Sequence, residues 1–66
     1  MILTINGEER EFDEGLGLPE ILSKLGLQDK PVVIEHNEQA LAPSDFPACQ
    51  PQDGDRLEII TIAAGG

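Results

Sequence analysis

Arg56-Leu57-Glu58-Ile59-Ile60-Thr61-Ile62 places charged and aliphatic or β-branched side chains in near alternation. Asp53-Gly54-Asp55 stands before it as a turn, and Ala63-Ala64-Gly65-Gly66 follows it. A period of two with β-branched residues, bounded by a turn, reads as a strand. Leu57 and Ile59 then share one face. A strand this late in the chain must find its neighbours among elements formed earlier, and the candidates lie at the front and in the middle.

At the front, Met1 to Ile5 is apolar apart from Thr4 and runs into Asn6-Gly7. Both of those residues tolerate positive φ, so the dipeptide marks a tight hairpin. Glu9 to Asp13 reads as the returning strand, with Phe12 joining Leu3 and Ile5 on one face. Gly15 and Gly17 break the pattern. Leu18, Ile21, Leu22 and Leu25 follow at helical spacing and predict a short helix with one apolar stripe. Pro19 is tolerated in a first turn, and Gly26 suits a left-handed stop. Glu20 and Lys24 are four apart, with the acid nearer the N-terminus. Pro31 opens a strand over Val32 to His36, Asn37-Glu38 offers a turn, and Gln39 to Leu41 returns. Pro43, Pro47 and Pro51 then mark an irregular crossover in which Ser44-Asp45-Phe46 forms one turn of tight helix.

The order is hairpin, helix, strand, crossover, strand. Placing the last strand beside the first, in the middle of the sheet, buries one face under the helix. The expected fold is therefore α+β: a mixed sheet packed on one short helix, the ubiquitin-like β-grasp arrangement. Residues 1–62 would form this domain and residues 63–66 a flexible tail. The chain shows no internal repeat, linker or low-complexity segment.

Sixty-six residues, 39% of them apolar, support one modest core. A single cysteine permits no intrachain disulfide, and one histidine with one cysteine cannot complete a tetrahedral zinc site. The net charge of −9 comes from thirteen acids against four scattered bases. Nucleic acid and an anionic membrane are thus poor partners. The acidity either steers the protein to a basic groove or simply keeps it soluble. The N-terminus lacks the basic and long apolar regions of an export signal, and a lone cysteine suits a reducing cytoplasm.

Enzymatic chemistry finds no constellation here. The only histidine, His36, and the only thiol, Cys49, lie in different segments that the sequence does not bring together. Cys49 reads as a semi-buried filler and His36 as an imidazole at the core's edge. The acidic pairs Glu8-Glu9 and Asp53/Asp55 read as solvated turn charges, without an EF-hand pattern. The tail differs. Four extended residues reach roughly 13–14 Å, and two glycines without side chains can thread a narrow channel. The terminal carboxylate is ionised at neutral pH and a poor electrophile. A partner could activate it as an acyl-adenylate and replace one oxygen with sulfur. Gly-Gly alone is a weak signal that better fits a frayed terminus.

The residues Asp53-Gly54-Asp55-Arg56-Leu57-Glu58-Ile59 with Gly65-Gly66 at the end resemble the sulfur carriers of bacterial thiamine (thiazole) biosynthesis. Leu3, Ile5, Asn6-Gly7, Leu18, Ile21-Leu22, Leu25 and Asn37 extend the resemblance over nearly the whole chain. Departures are Ala42-Pro43 where relatives often carry Pro-Arg, Phe46 for a Trp, and His36 where an apolar residue is common. The resemblance implies a protein co-substrate, not an enzyme, that binds no cofactor. An E1-like adenylyltransferase would adenylate Gly66, a sulfur-transfer enzyme would make the thiocarboxylate, and thiazole synthase would consume the sulfur. Gly65, Ala64 and Ala63 would form the tail that carries it. Alternation adds Ile60 and Ile62 as a patch on the open sheet face that would dock the adenylating enzyme. Rival readings are the small subunit of molybdopterin synthase, another sulfur carrier, a ubiquitin-like modifier and an interaction module.

Overall fold

Asn6 and Gly7 take φ values of 51° and 84°, the left-handed pair that matches the twist of a two-residue hairpin. In the computed structural model, which describes residues 1–62, this turn joins strand β1 (Ile2–Ile5) to strand β2 (Glu8–Glu11). Pairing runs from Ile5↔Glu8 to Ile2↔Glu11. The returning strand therefore starts one residue earlier than Glu9 and stops before Phe12, because the tight turn leaves no slack. Phe12 lies just past the strand, where its N–H donates to the Met1 carbonyl at 2.8 Å, and packs against the core. Every residue of β2 is exposed. A charged edge strand of this kind resists pairing with other chains.

Helix α1 spans Leu18–Lys24 with Pro19 in its first turn. At its end, Leu27 N–H donates to Leu22 O at 2.8 Å and Gly26 N–H to Ser23 O at 3.0 Å. Gly26, at φ 77°, completes this reverse-turn cap, which satisfies two carbonyls the helix would leave open. Strand β3 (Val32–His36) and strand β4 (Gln39–Leu41) follow, joined by Asn37 and Glu38 at φ 49° and 71°. The crossover holds a 3₁₀ helix over Pro43–Ala48, longer than the single turn expected at Ser44–Phe46. Pro47 sits inside it. The tighter, exposed 3₁₀ geometry accepts the missing N–H that would break an α-helix.

Strand β5 (Arg56–Thr61) lies at the centre of a five-stranded sheet of order β2-β1-β5-β3-β4. It runs parallel to β1 and antiparallel to β3. Leu57 and Ile59 meet Leu3 and Ile5 of β1, Ile34 of β3, and Leu18, Ile21 and Leu22 of the helix in one buried cluster. Each such side chain contributes about 1.5–3 kcal/mol of apolar burial. This is the α+β, β-grasp arrangement expected from the element order. Among the described residues no helix is long and apolar enough to cross a membrane.

The Asp53–Asp55 turn sets the register of β5 on β1. Asp53 Oδ1 accepts the Ile2 N–H at 2.7 Å, and Gly54 N–H donates to Ile2 O at 2.8 Å. Beyond the two ladder pairs Thr4↔Arg56 and Ile5↔Leu57, β1 turns away. The Asn6 side chain takes over: its Oδ1 accepts Ile59 N–H at 2.7 Å and its Nδ2 donates to Ile59 O at 3.0 Å. Asn6→Ala leaves both Ile59 backbone groups without these partners and should lower unfolding stability by about 2 kcal/mol in urea titration. Asn6→Gly keeps the positive φ accessible yet loses the same bonds, so it should not restore stability.

Candidate functional site

Strand β5 leads toward the C-terminus on which the tail chemistry rests. Gly66, Gly65, Ala64 and Ala63 lie outside the described residues. The chain before them is described. Ile62 N–H donates to Pro31 O at 3.0 Å, so the backbone is held beside β3 up to the last described residue.

Along β5, Leu57 and Ile59 point into the core, and alternation turns Arg56, Glu58 and Ile60 to the open face. Ile60 is 63% exposed and pairs across the ladder with Val33, 46% exposed. Ile62 is 51% exposed, but it borders an apolar groove of about 390 Å³ with Leu22, Leu27, Val32, Pro43 and Phe46. The alternation that pairs Ile62 with Ile60 on the open face holds only while the strand lasts, and it ends at Thr61.

Two residues back along the open face, Glu58 stands directly opposite Glu35. Like charges in such positions repel. Arg56 does not settle between them, since its guanidinium is held by Glu38 at 3.1 Å. These four side chains line a shallow depression of about 300 Å³. The open face thus carries an apolar pair beside a carboxylate pair.

A second constellation lies near the other end of β5 and corrects two sequence expectations. His36 and Cys49 are brought together, with Cys49 Sγ 4.0 Å from His36 Nδ1. Asp55 is not a solvated turn charge: its side chain is 19% exposed, and its Oδ2 lies 2.7 Å from His36 Nε2. The register explains the meeting. His36 pairs with Leu57, so Asp55, two residues earlier, emerges on the same side, and the 3₁₀ helix delivers Cys49 there. Nothing in the sequence alone displays that register; the alternation of Val32, Ile34 and His36 is the one local hint that the imidazole faces the core side. Burial works to raise the Asp55 carboxyl, but the Gln52 N–H, the His36 ring and the Asn37 side chain outweigh it and hold the carboxyl below its ordinary value. The Cys49 thiol is pushed up, first by burial and then by the Asp55 and Asp45 carboxylates. No cluster of three metal-ligating side chains occurs among the described residues.

Comparison with known proteins adds the following. The ThiS family model matches residues 3–66. The sulfur carrier protein ThiS of Thermus thermophilus is 36% identical over 62 residues, covering 94% of this chain and 95% of that protein. A thiazole synthase of Paramagnetospirillum magneticum is 36% identical over all 66 residues, and the chain spans 20% of its length. A crystal structure of the thiamine biosynthesis protein ThiS from Geobacter metallireducens superposes with a TM-score of 0.81 at 35% identity, covering 100% of both chains.

The Asp55 arrangement has a pH signature. A carboxyl depressed in the folded state contributes stability that is present above its unfolded pKa, about 3.9, and is lost as pH falls through the lower folded value. Urea midpoints should therefore fall as the medium is acidified below about pH 4, and Asp55→Asn should flatten part of that acid limb. An unchanged limb would show that the depressed carboxyl is not Asp55.

Proposed function

This chain belongs to the ThiS family, and from that premise we propose that it is a sulfur carrier whose working group is the C-terminal carboxylate of Gly66. The observation that carries the reading is the family match extending through residue 66, together with 36% identity to a sulfur carrier protein over nearly its full length. The sulfur serves thiazole formation in thiamine biosynthesis. The chain acts as a protein co-substrate and not as an enzyme in its own right. That a thiazole synthase contains a stretch similar to this entire chain supports thiazole synthase as the consumer.

The chemistry follows from the state of a carboxylate. An anion resists nucleophilic attack, so an E1-like adenylyltransferase first joins the Gly66 carboxylate to AMP from ATP, with pyrophosphate leaving. The mixed anhydride is an electrophile. The persulfide of a sulfur-transfer enzyme attacks the acyl carbon and AMP departs; a second thiol then attacks the enzyme-side sulfur of the acyl disulfide, leaving a disulfide on the transfer side and a thiocarboxylate on Gly66. That group is a stronger nucleophile than the carboxylate and remains attached to a protein handle. Gly65, with Ala64 and Ala63, presents it at the end of a narrow chain segment. All of this takes place in the cytoplasm, the reducing compartment that keeps thiocarboxylates and Cys49 reduced.

Partner docking falls to the face beside the tail. Ile60 lies next to Val33 on the open sheet, and Ile62 immediately precedes the tail. An exposed apolar pair so placed suits contact with the adenylyltransferase. The acidic surroundings favour a basic rim on that enzyme and speed its encounter.

Two measurements test the reading. The intact mass of protein isolated from its native host should include a fraction heavier by one sulfur-for-oxygen exchange, mapped to Gly66. Unmodified mass even with ATP, an E1-like enzyme and a sulfur donor present would overturn it, as would isopeptide ladders on denaturing gels. Ile60→Asp should keep the fold and slow adenylation roughly tenfold, equivalent to about 1.4 kcal/mol of docking energy. Wild-type adenylation by that variant would remove Ile60 from the interface.

A further inference from the structure

Apart from the tail, the described residues hold one place where a nucleophile, a base and a carboxylate meet. Cys49 closes the 3₁₀ helix with its backbone fixed at both ends: its N–H donates to Phe46 O at 3.2 Å, and its carbonyl accepts Leu18 N–H at 2.9 Å. His36 ends β3. Asp55 Oδ2 accepts Gln52 N–H at 2.9 Å and lies 2.7 Å from His36 Nε2. A carboxylate can only accept, so it keeps the imidazole proton on Nε2. The lone pair then sits on Nδ1, which faces Cys49 Sγ at 4.0 Å. That is the order of parts in a thiol with its own base and an orienting acid.

We propose that Cys49 is a second sulfur-accepting group in this protein, with His36 as its base and Asp55 as the positioning residue, and that its substrate is a persulfide. The choice of substrate class rests on the sulfur-carrier reading; the thiol–imidazole–carboxylate geometry does not. In the step, the Sγ proton passes to His36 Nδ1 and the sulfur attacks the terminal sulfur of R–S–SH. The S–S bond breaks, and its electron pair leaves on R–S⁻, which takes the proton back from the imidazolium. The products are Cys49–S–SH and R–SH, with no outside oxidant or reductant.

The local electrostatics explain why the base is needed. Burial and the carboxylates of Asp55 and Asp45 keep the thiol protonated at neutral pH, so free thiolate is scarce. A thiolate from so weak an acid is intrinsically the better nucleophile once formed. His36 supplies the deprotonation, and Asp55 stabilises the resulting imidazolium. Strand β5, six residues long, separates Asp55 from Ile62 by seven steps, about 23 Å at about 3.3 Å per residue. The Cys49 position is therefore remote from the base of the tail, and the two sulfur positions would load independently.

The test is to incubate the wild-type protein anaerobically with glutathione persulfide and map the added sulfur by mass. One sulfur atom should appear on the Cys49 peptide, at a rate that does not rise in proportion to hydroxide. His36→Asn should slow loading roughly a hundredfold at pH 7, and Asp55→Asn should shift the pH profile. A Cys49 that stays unloaded while free cysteine is converted overturns the proposal. So does a wild-type rate that climbs in proportion to hydroxide throughout, which needs no folded variant to detect. Cys49→Ser should still form the Gly66 thiocarboxylate with the adenylating system. Failure of the variant where the wild type succeeds would overturn the independence of the two positions, whereas a wild type that loads Cys49 but never forms the Gly66 thiocarboxylate would count against the tail reading alone.

Discussion

Two asparagine side chains grip the central strand from opposite sides, and the sheet depends on that grip. Asn6 donates its backbone N–H to Leu57 O at 2.9 Å and bonds both backbone groups of Ile59 with its amide. Asn37 donates its N–H to Arg56 O at 2.9 Å and accepts Arg56 N–H on Oδ1 at 2.8 Å. Each residue sits at positive φ in a two-residue turn, a conformation asparagine tolerates better than most residues. One residue type therefore solves two problems: it closes the hairpin, and its side chain extends the strand pairing, with Asn6 supplying both donor and acceptor and Asn37 the acceptor beside its own backbone donor. Because β1 and β5 share only a short ladder, the side-chain extension keeps Ile59 paired on that side. Ile59 in turn keeps Ile60 facing outward.

The acidic excess is distributed according to the same architecture. The edge strand β2 carries its charges to solvent on every residue. On the open face of β3 and β5, Glu35 and Glu58 oppose each other while Arg56 is drawn to Glu38. Such a face is poorly suited to self-association and well suited to a partner that brings a positive charge. The apolar Val33–Ile60 pair beside it offers an anchor. The proposed docking surface thus falls on the side of the sheet that the helix leaves uncovered.

Much of this was legible from local chemistry. Asn6-Gly7 and Asn37-Glu38 announced both hairpins, and the spacing of Leu18, Ile21 and Leu22 announced the helix, because turn and helix signals depend on neighbours in sequence. The centre of the sheet followed from topology, since a final strand with one buried face needs cover on both edges. What escaped notice was long-range. The second use of the two asparagines is visible only when β5 lies between them. The meeting of His36, Asp55 and Cys49 requires the β3–β5 register and the path of the 3₁₀ helix, neither of which a spacing rule contains. Pro47 inside that helix also ran against a rule derived from α-helices. Of the tail, only its chemistry could be read.

The position of β5 has a consequence for how the protein comes into being. The strand that fills the middle of the sheet is the last one to be synthesised, and most of the long-range pairing belongs to it. A nascent chain can close its first hairpin early, yet β1 and β3 have nothing between them until the final strand leaves the ribosome. Non-local contacts of this kind are slow to form, and the partly assembled sheet exposes apolar surface meanwhile. A chain cut short before Arg56 therefore cannot present a folded surface. A folded sheet is thus itself the mark of a chain that has been translated through β5.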